Sequence, residues 1–426
     1  MELILISILF LVPLLPPVSG LGYEAAKVVF FITALSFTVL FWVLRFSFGF
    51  GKCDKVSFGA PLKVSGLFLL ALLISSIFGI NPQNSLTGKN PYLQGWILYA
   101  CLWVFGMFTA NFVKNTKIWR RLIFIQAVLI SFWALKDWVL IHILNSYAPT
   151  YAGRVVSSFG QPNFYSGYLL LCLPLVYPLV KREGRFKLFI WGGVALTVLA
   201  IVISGSRAAI LVALGLGFAL LIYKLRRFKK TAVLLSAALL FLTAFLLAAL
   251  LQQELVLPAD HGWLRSNSPE KRGYIWQVMG EAIAQRPFLG YGLENTDSAY
   301  AQFFTRQDFN AVKNPAFYSL KNLVVDRAHS YPLDILMFSG AVGLIAWLFF
   351  IYTCFKKAKD WQRVFLIVYL AWTLVQIQSI AHLMLFFFVL GLIGERRRSS
   401  GVVKTLSSLA NASISETSSE IPRYSE

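Results

Sequence analysis

Long apolar runs separated by short polar connections dominate this chain. Runs of about 17 to 25 mainly apolar residues are long enough to cross a bilayer as helices. They begin near residues 3, 24, 63, 92, 119, 163, 187, 207, 231, 331, 361 and 381. The runs are continuous and lack the alternation of a membrane β-barrel. The pattern therefore predicts an all-α, polytopic membrane protein with about twelve transmembrane helices.

Three of these runs are weaker than the others. The first contains several prolines, the fifth carries Lys136 and Asp137, and the last is short. Residues 1–20 could instead form a signal peptide, but Glu2 stands where such a peptide carries basic residues. The charge at this end favours a first membrane span.

The composition agrees with this class of protein. Hydrophobic residues make up 58% of the chain and charged residues only 14%, whereas soluble domains contain about a quarter charged residues. A net charge of +20 would suggest nucleic acid in a soluble protein, but here the positive charge follows the membrane topology. The four cysteines show no paired spacing, so we predict neither a disulfide nor a zinc site.

The loops orient the protein in the membrane. Alternate loops are rich in lysine and arginine, namely Arg45–Lys63, Lys114–Arg121, Lys181–Lys187, Lys224–Lys230 and Lys356–Arg363. Because basic loops stay inside, both termini are predicted to be cytoplasmic. The predicted organisation is helices 1 to 9 in residues 1–252, a large outer loop in 253–330, helices 10 to 12 in 331–395 and a disordered cytoplasmic tail in 396–426.

The large outer loop contains a predicted amphipathic helix. Ser268, Pro269 and Glu270 form a helix start, with a capping serine, proline at the first helical position and an acid in the first turn. The apolar face consists of Ile275, Trp276, Met279, Ala282 and Ile283. The helix is expected to end before Pro287 and to cap the helix bundle or lie on the membrane. Arg272 lies near its start, and its spacing alone favours a solvated charge.

Two arginines in short outer connections need a reason other than topology. Arg154 precedes the sixth run, and Arg207 lies in the turn Ser204-Gly205-Ser206-Arg207 before the eighth. The sixth, eighth and tenth helices would all begin at the outer face, where free N–H groups favour an anion such as phosphate. Arg207 could instead snorkel to lipid headgroups, but so tight a turn favours a functional role.

His329 opens the tenth run, just after Asp326 and Arg327. A histidine at a helix start is usually a cap or a packing residue. Its charged neighbours favour catalysis here, because a neutral imidazole with a pKa near 6.5 can take a proton from a hydroxyl. Of the other histidines, His142 is predicted near the outer end of the fifth helix and His382 at an interface. The sequence contains no metal-binding motif, P-loop or GxSxG motif.

Several short motifs follow one another on the predicted outer side. They are Asn84-Ser85-Leu86-Thr87-Gly88 with Gly95, Phe159-Gly160-Gln161-Pro162-Asn163, Ser204-Gly205-Ser206-Arg207, Arg272 with Trp276, Arg286-Pro287-Phe288-Leu289-Gly290-Tyr291-Gly292, His329-Ser330-Tyr331 and Gly340-Ala341-Val342-Gly343. Their order over residues 60–395 resembles the O-antigen ligase and polymerase superfamily. The chain departs from that family at Ser330, where asparagine is frequent, and at Phe338, where an acid is frequent.

The resemblance implies a lipid-linked glycosyltransferase that needs no metal, nucleotide or other cofactor. Its donor would be a glycan on undecaprenyl diphosphate at the periplasmic face of the bacterial inner membrane. Arg207, Arg272 and Arg154 would hold the diphosphate, and His329 would be the general base. The residues expected to support them are Asn163, Ser330, Arg265 and Asp326.

The acceptor separates several versions of this function. A ligase would use a lipid A–core sugar, a polymerase the end of another lipid-linked repeat, and a protein-glycosylating enzyme a serine or threonine. The remaining expected contacts are membrane lipids, with no nucleic acid. A transporter for an anionic substrate is the alternative from another class, although the two halves of the chain contain no evident repeat.

Overall fold

The computed structural model describes residues 1–48, 58–146, 153–180, 187–225, 269–303 and 325–393, and the regular elements in these ranges are helices. The helices are α1 (Glu2–Leu11), α2 (Gly22–Ser47), α3 (Ala60–Phe78), α4 (Pro82–Thr87), α5 (Trp96–Phe112), α6 (Thr116–His142), α7 (Pro162–Val180), α8 (Lys187–Ile203), α9 (Arg207–Leu225), α10 (Pro269–Gln285), α11 (Thr296–Phe303), α12 (Tyr331–Lys357), α13 (Asp360–Val375) and α14 (Ile380–Leu392). Short 3₁₀ turns lie at Val12–Leu14 and Ser157–Phe159.

The all-helical prediction is confirmed. A helix begins at or close to each predicted start except the ninth, near residue 231, which lies outside the described ranges together with Arg265 and the predicted tail. Four helices, α2, α3, α6 and α12, are long and apolar enough to cross a membrane, and α1, α5, α8, α9 and α14 are shorter and apolar. The chain is a multi-pass membrane protein. The count of twelve spans and the positions of both termini stay predictions.

The weak runs differ from one another in the structure. The first run is too broken for one long helix, because α1 ends at Leu11 and a 3₁₀ turn containing Pro13 follows. Proline lacks a backbone donor and its ring disrupts the preceding turn. By contrast, α6 continues without a break through Lys136 and Asp137, whose side chains form an ion pair of 3.2 Å.

The short α14 lies at the centre of the bundle. All 13 of its residues are buried, which explains why it is apolar on every face. It packs against α5 and α7, while α3 packs against α12 and α13 packs against α7 and α9. The prediction that His382 lies at an interface stays a prediction. This histidine is fully buried in α14, between the rings of Phe164 and Trp372.

The helix α12 is interrupted at Gly340, which has φ 60° and ψ −161°. The freed backbone groups pair with residues 287–292, which lie in the predicted outer loop. Tyr291 N and Gly292 N donate to the carbonyls of Met337 and Phe338, both at 2.8 Å, and Ala341 N donates to Pro287 O at 2.7 Å. These bonds satisfy buried polar groups that the break would otherwise leave unpaired.

We expect Gly340→Ala to destabilise the fold. A Cβ atom at Gly340 would lie 2.3 Å from the carbonyl carbon of Phe288, and alanine avoids the positive φ of this residue. The loss should exceed about 1 kcal/mol and is measured as a lower melting temperature in detergent. The matched control is Gly217→Ala in α9, where a Cβ atom meets nothing within 4 Å. A helical glycine replaced by alanine should be neutral or stabilising, and equal melting temperatures for both variants would contradict the assignment.

Candidate active site

The helix α9 begins in a tight serine-rich turn that presents Arg207. Ser206 is the residue before the helix, and its Oγ accepts a hydrogen bond from Ala209 N at 3.4 Å. Ser204 Oγ in turn accepts one from Ser206 N at 3.0 Å. Arg207 occupies the first helical position, and its side chain is exposed. Arg207 therefore belongs to a first turn whose N–H groups have no partner within the helix.

Arg154 joins this turn to the start of α7. Its Nε donates to Ser204 O at 3.2 Å, and its Nη2 donates to Asn163 Oδ1 at 3.4 Å. Asn163 is the second residue of α7. Three features that were predicted separately, Arg154, Asn163 and the turn before Arg207, thus lie in one group.

The predicted helix in the outer loop begins at Pro269 and ends at Gln285, so both ends are confirmed. Its buried face contains Ile275, Met279 and Ala282 and packs against α11 and α12. Trp276 does not belong to this face, because 41% of its surface is exposed. Its indole Nε1 instead donates to Ala328 O at 2.8 Å, which fixes the helix against the residue preceding His329.

Arg272 is not a solvated charge. Its side chain is half-buried, and Nη1 donates to Val375 O at 3.0 Å. Val375 is the last residue of α13, and a helix leaves its final carbonyls without partners inside the helix. Burial lowers the pKa of Arg272 from its ordinary value, but an arginine keeps its charge at neutral pH. The end of α13 therefore holds a fixed positive charge.

His329 lies within electrostatic range of this charge. Burial, followed by the positive charge of Arg272, lowers the pKa of His329 to about 4, and Asp326 opposes the shift. Its Nδ1 is buried and has no hydrogen-bond partner in the part of the chain that the structure describes. The imidazole is therefore neutral at pH 7 and able to accept a proton. The pKa of His329 thus lies well below the ordinary histidine pKa of 6.5 on which the sequence-based expectation relied.

The backbone around His329 is unusual. The residue has φ 54°, in the left-handed region that few residues other than glycine adopt. The next residue, Ser330, is the N-cap of α12 and is buried, but its side chain makes no capping hydrogen bond. Such a conformation persists only where neighbouring contacts hold it.

A buried ion pair supplies part of that support. Arg327 Nη2 contacts Glu294 Oε1 at 2.5 Å, and each side chain is only 5% exposed. The guanidinium also lies over the rings of Tyr92 and Phe338, 5.2 Å from each centroid. Burial acts to lower the pKa of Arg327, but the neighbouring carboxylates, Glu294 foremost, raise it above its ordinary value. Phe338, where the family often has an acid, thus forms part of the arginine's environment.

Two further contacts fix the same segment. Asp334, in the first turn of α12, accepts a hydrogen bond from Ala328 N at 2.7 Å. Glu294 also accepts one from Gln94 N at 3.1 Å. Residues 327 and 328 are therefore held by a carboxylate each, directly before His329. Sequence reasoning missed this arrangement, since its only signal was a cluster of charges at the edge of an apolar run.

Removing one charge of this pair should destabilise the protein strongly. Glu294→Leu would leave the guanidinium of Arg327 buried without its carboxylate, which typically costs about 3–5 kcal/mol. The double variant Glu294→Leu with Arg327→Met should recover most of the melting temperature. Lys136→Ala serves as the control, because Lys136 is 58% exposed and such pairs contribute about 0–1 kcal/mol. A single variant as stable as the control would refute a structural role for the pair.

The motif in the second outer loop has a structural explanation. It forms α4 and the turn after it, which dock onto the segment that carries Glu294. Ser85 Oγ donates to Leu293 O at 2.9 Å, and Asn295 Nδ2 donates to Ser85 Oγ at 2.9 Å. The loop therefore binds the residues on both sides of Glu294 and helps to position the ion pair.

The candidate residues form two groups at one end of the bundle. The first contains Arg154, Asn163 and Arg207, and the second contains Arg272, Asp326 and His329. The helix α13 lies between them, because it packs against α7 and α9 and its last residue, Val375, binds Arg272.

Parts of this sequence are similar to those of known proteins. Residues 192–348 match the family model described as O-antigen ligase, a range that includes Arg207, Arg272 and His329. A general O-oligosaccharyltransferase of Acinetobacter baylyi is 28% identical over 319 residues, which cover 69% of this chain but only 53% of that protein. Proteins named as polysaccharide ligases are 24% identical, one from Rickettsia conorii over 85% of this chain and 87% of its own length, and one from Rickettsia prowazekii over 84% and 86%.

Proposed function

We propose that this chain, a member of the O-antigen ligase superfamily, transfers a glycan from undecaprenyl diphosphate to a sugar hydroxyl of a lipid A–core acceptor. The reaction would take place at the periplasmic face of the inner membrane, without metal or nucleotide. The observation that carries the proposal is the fixed cation of Arg272 next to the neutral imidazole of His329. Glycosyl transfer from a diphosphate needs both a cation for the leaving group and a base for the acceptor.

The arginines would bind the diphosphate. Arg207 is exposed at the start of α9, where its planar guanidinium and the free N–H groups of the first turn can contact phosphate oxygens together. Arg272 would approach from the end of α13 and Arg154 from the turn beside α7. Negative charge grows on the diphosphate as the sugar–phosphate bond breaks, so fixed cations stabilise the transition state more than the ground state.

His329 would act on the acceptor. Its imidazole takes the proton from the acceptor hydroxyl while the oxygen attacks the anomeric carbon, and the bond from that carbon to the diphosphate oxygen breaks. Attack from the face opposite the diphosphate inverts the configuration of the anomeric carbon. Binding of the diphosphate would offset the charge of Arg272, which raises the pKa of His329 and makes it a stronger base in the complex.

A protein hydroxyl is the second candidate acceptor. The similarity to the Acinetobacter oligosaccharyltransferase favours it, whereas the two Rickettsia proteins are similar over more of this chain. The donor and the roles of the arginines and His329 are the same in both versions. A polymerase would differ only in using a second lipid-linked repeat as acceptor.

The test is a reaction with purified protein in excess EDTA and without nucleotide. A fluorescent undecaprenyl diphosphate glycan is offered with lipid A–core, with a serine- and threonine-containing peptide or alone. We expect a labelled lipid A–core product. A labelled peptide would show that the acceptor is a protein hydroxyl. A longer lipid-linked glycan would show that the enzyme is a polymerase. No product with any acceptor, from a folded protein, would refute glycosyl transfer.

A further inference from the structure

The connection between α13 and α14 contains buried polar atoms that have no hydrogen-bond partner. Gln376 and Gln378 are 2% and 3% exposed, and His382 follows in the first turn of α14. Gln376 Oε1 and both terminal atoms of the Gln378 amide are unpaired among the described residues. Buried amides without partners are rare in native proteins because each costs free energy. A group of them in one short segment indicates a ligand or a functional constraint.

Hydrogen bonds fix the backbone of this segment. Disorder of the backbone therefore does not explain why the side-chain amides lack partners. Gln378 O accepts a hydrogen bond from Gln94 Nε2 at 2.7 Å, and Ile380 N donates to Glu24 Oε2 at 3.0 Å. Ser379 caps α14 through His382 N. The unpaired atoms therefore belong to side chains on a fixed frame.

The segment begins where Arg272 is anchored. Gln376 directly follows Val375, whose carbonyl binds Arg272, and Gln378 lies three residues beyond Val375. Three residues span at most about 10 Å. The backbones of Gln376 and Gln378 therefore lie within about 10 Å of the residue whose carbonyl binds the guanidinium.

We propose that Gln376 and Gln378 form a saccharide subsite that binds the first sugar of the lipid-linked donor, an inference that rests on the proposed function. A neutral amide offers a donor and an acceptor together, which matches adjacent sugar hydroxyls or an acetamido group better than a phosphate. The position next to Arg272 favours the sugar that is joined to the diphosphate.

The test compares the binding of undecaprenyl diphosphate that carries one sugar with that of bare undecaprenyl diphosphate. In the variants Gln376→Met and Gln378→Met, the affinity for the bare lipid should be unchanged. The additional affinity that the sugar gives should fall by about tenfold, the effect of losing one or two hydrogen bonds. Melting temperatures without ligand should be equal to or above that of the wild type, because methionine has a similar size and needs no partner.

Gln362 offers a matched control. It is also buried, but its Oε1 accepts from Lys359 N at 2.9 Å and its Nε2 donates to Leu392 O at 3.0 Å. Gln362→Met should lower the melting temperature and leave the sugar-dependent affinity unchanged. The opposite responses of the two kinds of glutamine separate a binding role from a structural one.

Three results would overturn the inference. The first is an unchanged sugar-dependent affinity in both variants, and the second is a loss of melting temperature like that of Gln362→Met. The third is unchanged donor affinity with a raised KM for the acceptor, which would assign the amides to the acceptor sugar. If the wild type bound neither lipid, the proposed function itself would fail, which distinguishes that case from failure of the subsite alone.

Discussion

Replacing His329 with alanine should lower glycan transfer by about 10²- to 10⁴-fold, the usual contribution of a general base. The donor should still bind, because the proposed function assigns binding of the diphosphate to the arginines. His329→Gln should be equally poor, since an amide can keep a hydrogen bond but cannot accept the proton. Both effects are measured as initial rates with purified protein, and donor affinity is measured separately.

The pH dependence provides an independent test of the same residue. The imidazole is a base only above its pKa, and burial together with Arg272 lowers the pKa of His329 to about 4. The value of kcat/KM, which reports the free enzyme, should therefore hold down to about pH 5 and fall as the pH drops through about 4. The fall in kcat should occur at a higher pH, because bound diphosphate offsets the charge of Arg272. The residual activity of His329→Ala should lack this inflection.

The matched control is His142→Ala. His142 ends α6 and is exposed, so its loss should leave the rate and the pH profile unchanged. Turnover near the wild-type rate in His329→Ala would reduce His329 to a residue of the helix start. The base would then have to be sought among Asp326, Asp334 and Glu294.

Arg207→Ala should abolish detectable transfer while expression and melting temperature stay normal. The side chain is exposed, so its removal leaves no buried group unpaired. A hydrogen bond to a charged group contributes about 1.5–3 kcal/mol, so losing a bidentate contact with the diphosphate should reduce the rate by at least about 10²-fold. Arg207→Lys should recover little, because an ammonium cannot reproduce the planar fork.

Lys89→Ala is the control for the charge of Arg207. Lys89 is another exposed cation in a predicted outer loop, but it pairs with Asp297. Its loss should leave transfer and donor affinity close to the wild type. If Arg207→Ala behaved in the same way, Arg207 would be a residue that snorkels to lipid headgroups.

Local sequence patterns predicted much of the helical framework. The starts of α7, α9, α10 and α12 follow from caps, prolines and the onset of apolar runs, signals that lie within a few residues of one another. These helix starts carry Asn163, Arg207, Arg272 and the segment of His329, so the parts of the candidate site were recognisable. Membrane sidedness further predicted that the helix starts would face one compartment.

The environment of each side chain could not be predicted in this way. Arg272 was assigned to solvent from its spacing along the helix alone, whereas its partner is the carbonyl of Val375, more than a hundred residues away. The pairing of Arg327 with Glu294 could not be predicted either, because the two residues are also distant in the sequence. The pKa of His329 depends on both, because burial and a neighbouring cation follow from packing between elements that are distant in the sequence.

The break in α12 has a consequence for how the protein is made. Residues 287–292 supply the hydrogen bonds that the interrupted helix lacks at Met337, Phe338 and Ala341. An unpaired backbone group is costly in a lipid environment, so α12 can reach its native shape only after residues 287–292 have docked against it. Biogenesis would thus be ordered. The loop provides hydrogen-bond partners for a helix that is synthesised after it. If the loop is exchanged for that of a homologue, we expect a folded protein only when α12 is exchanged with it.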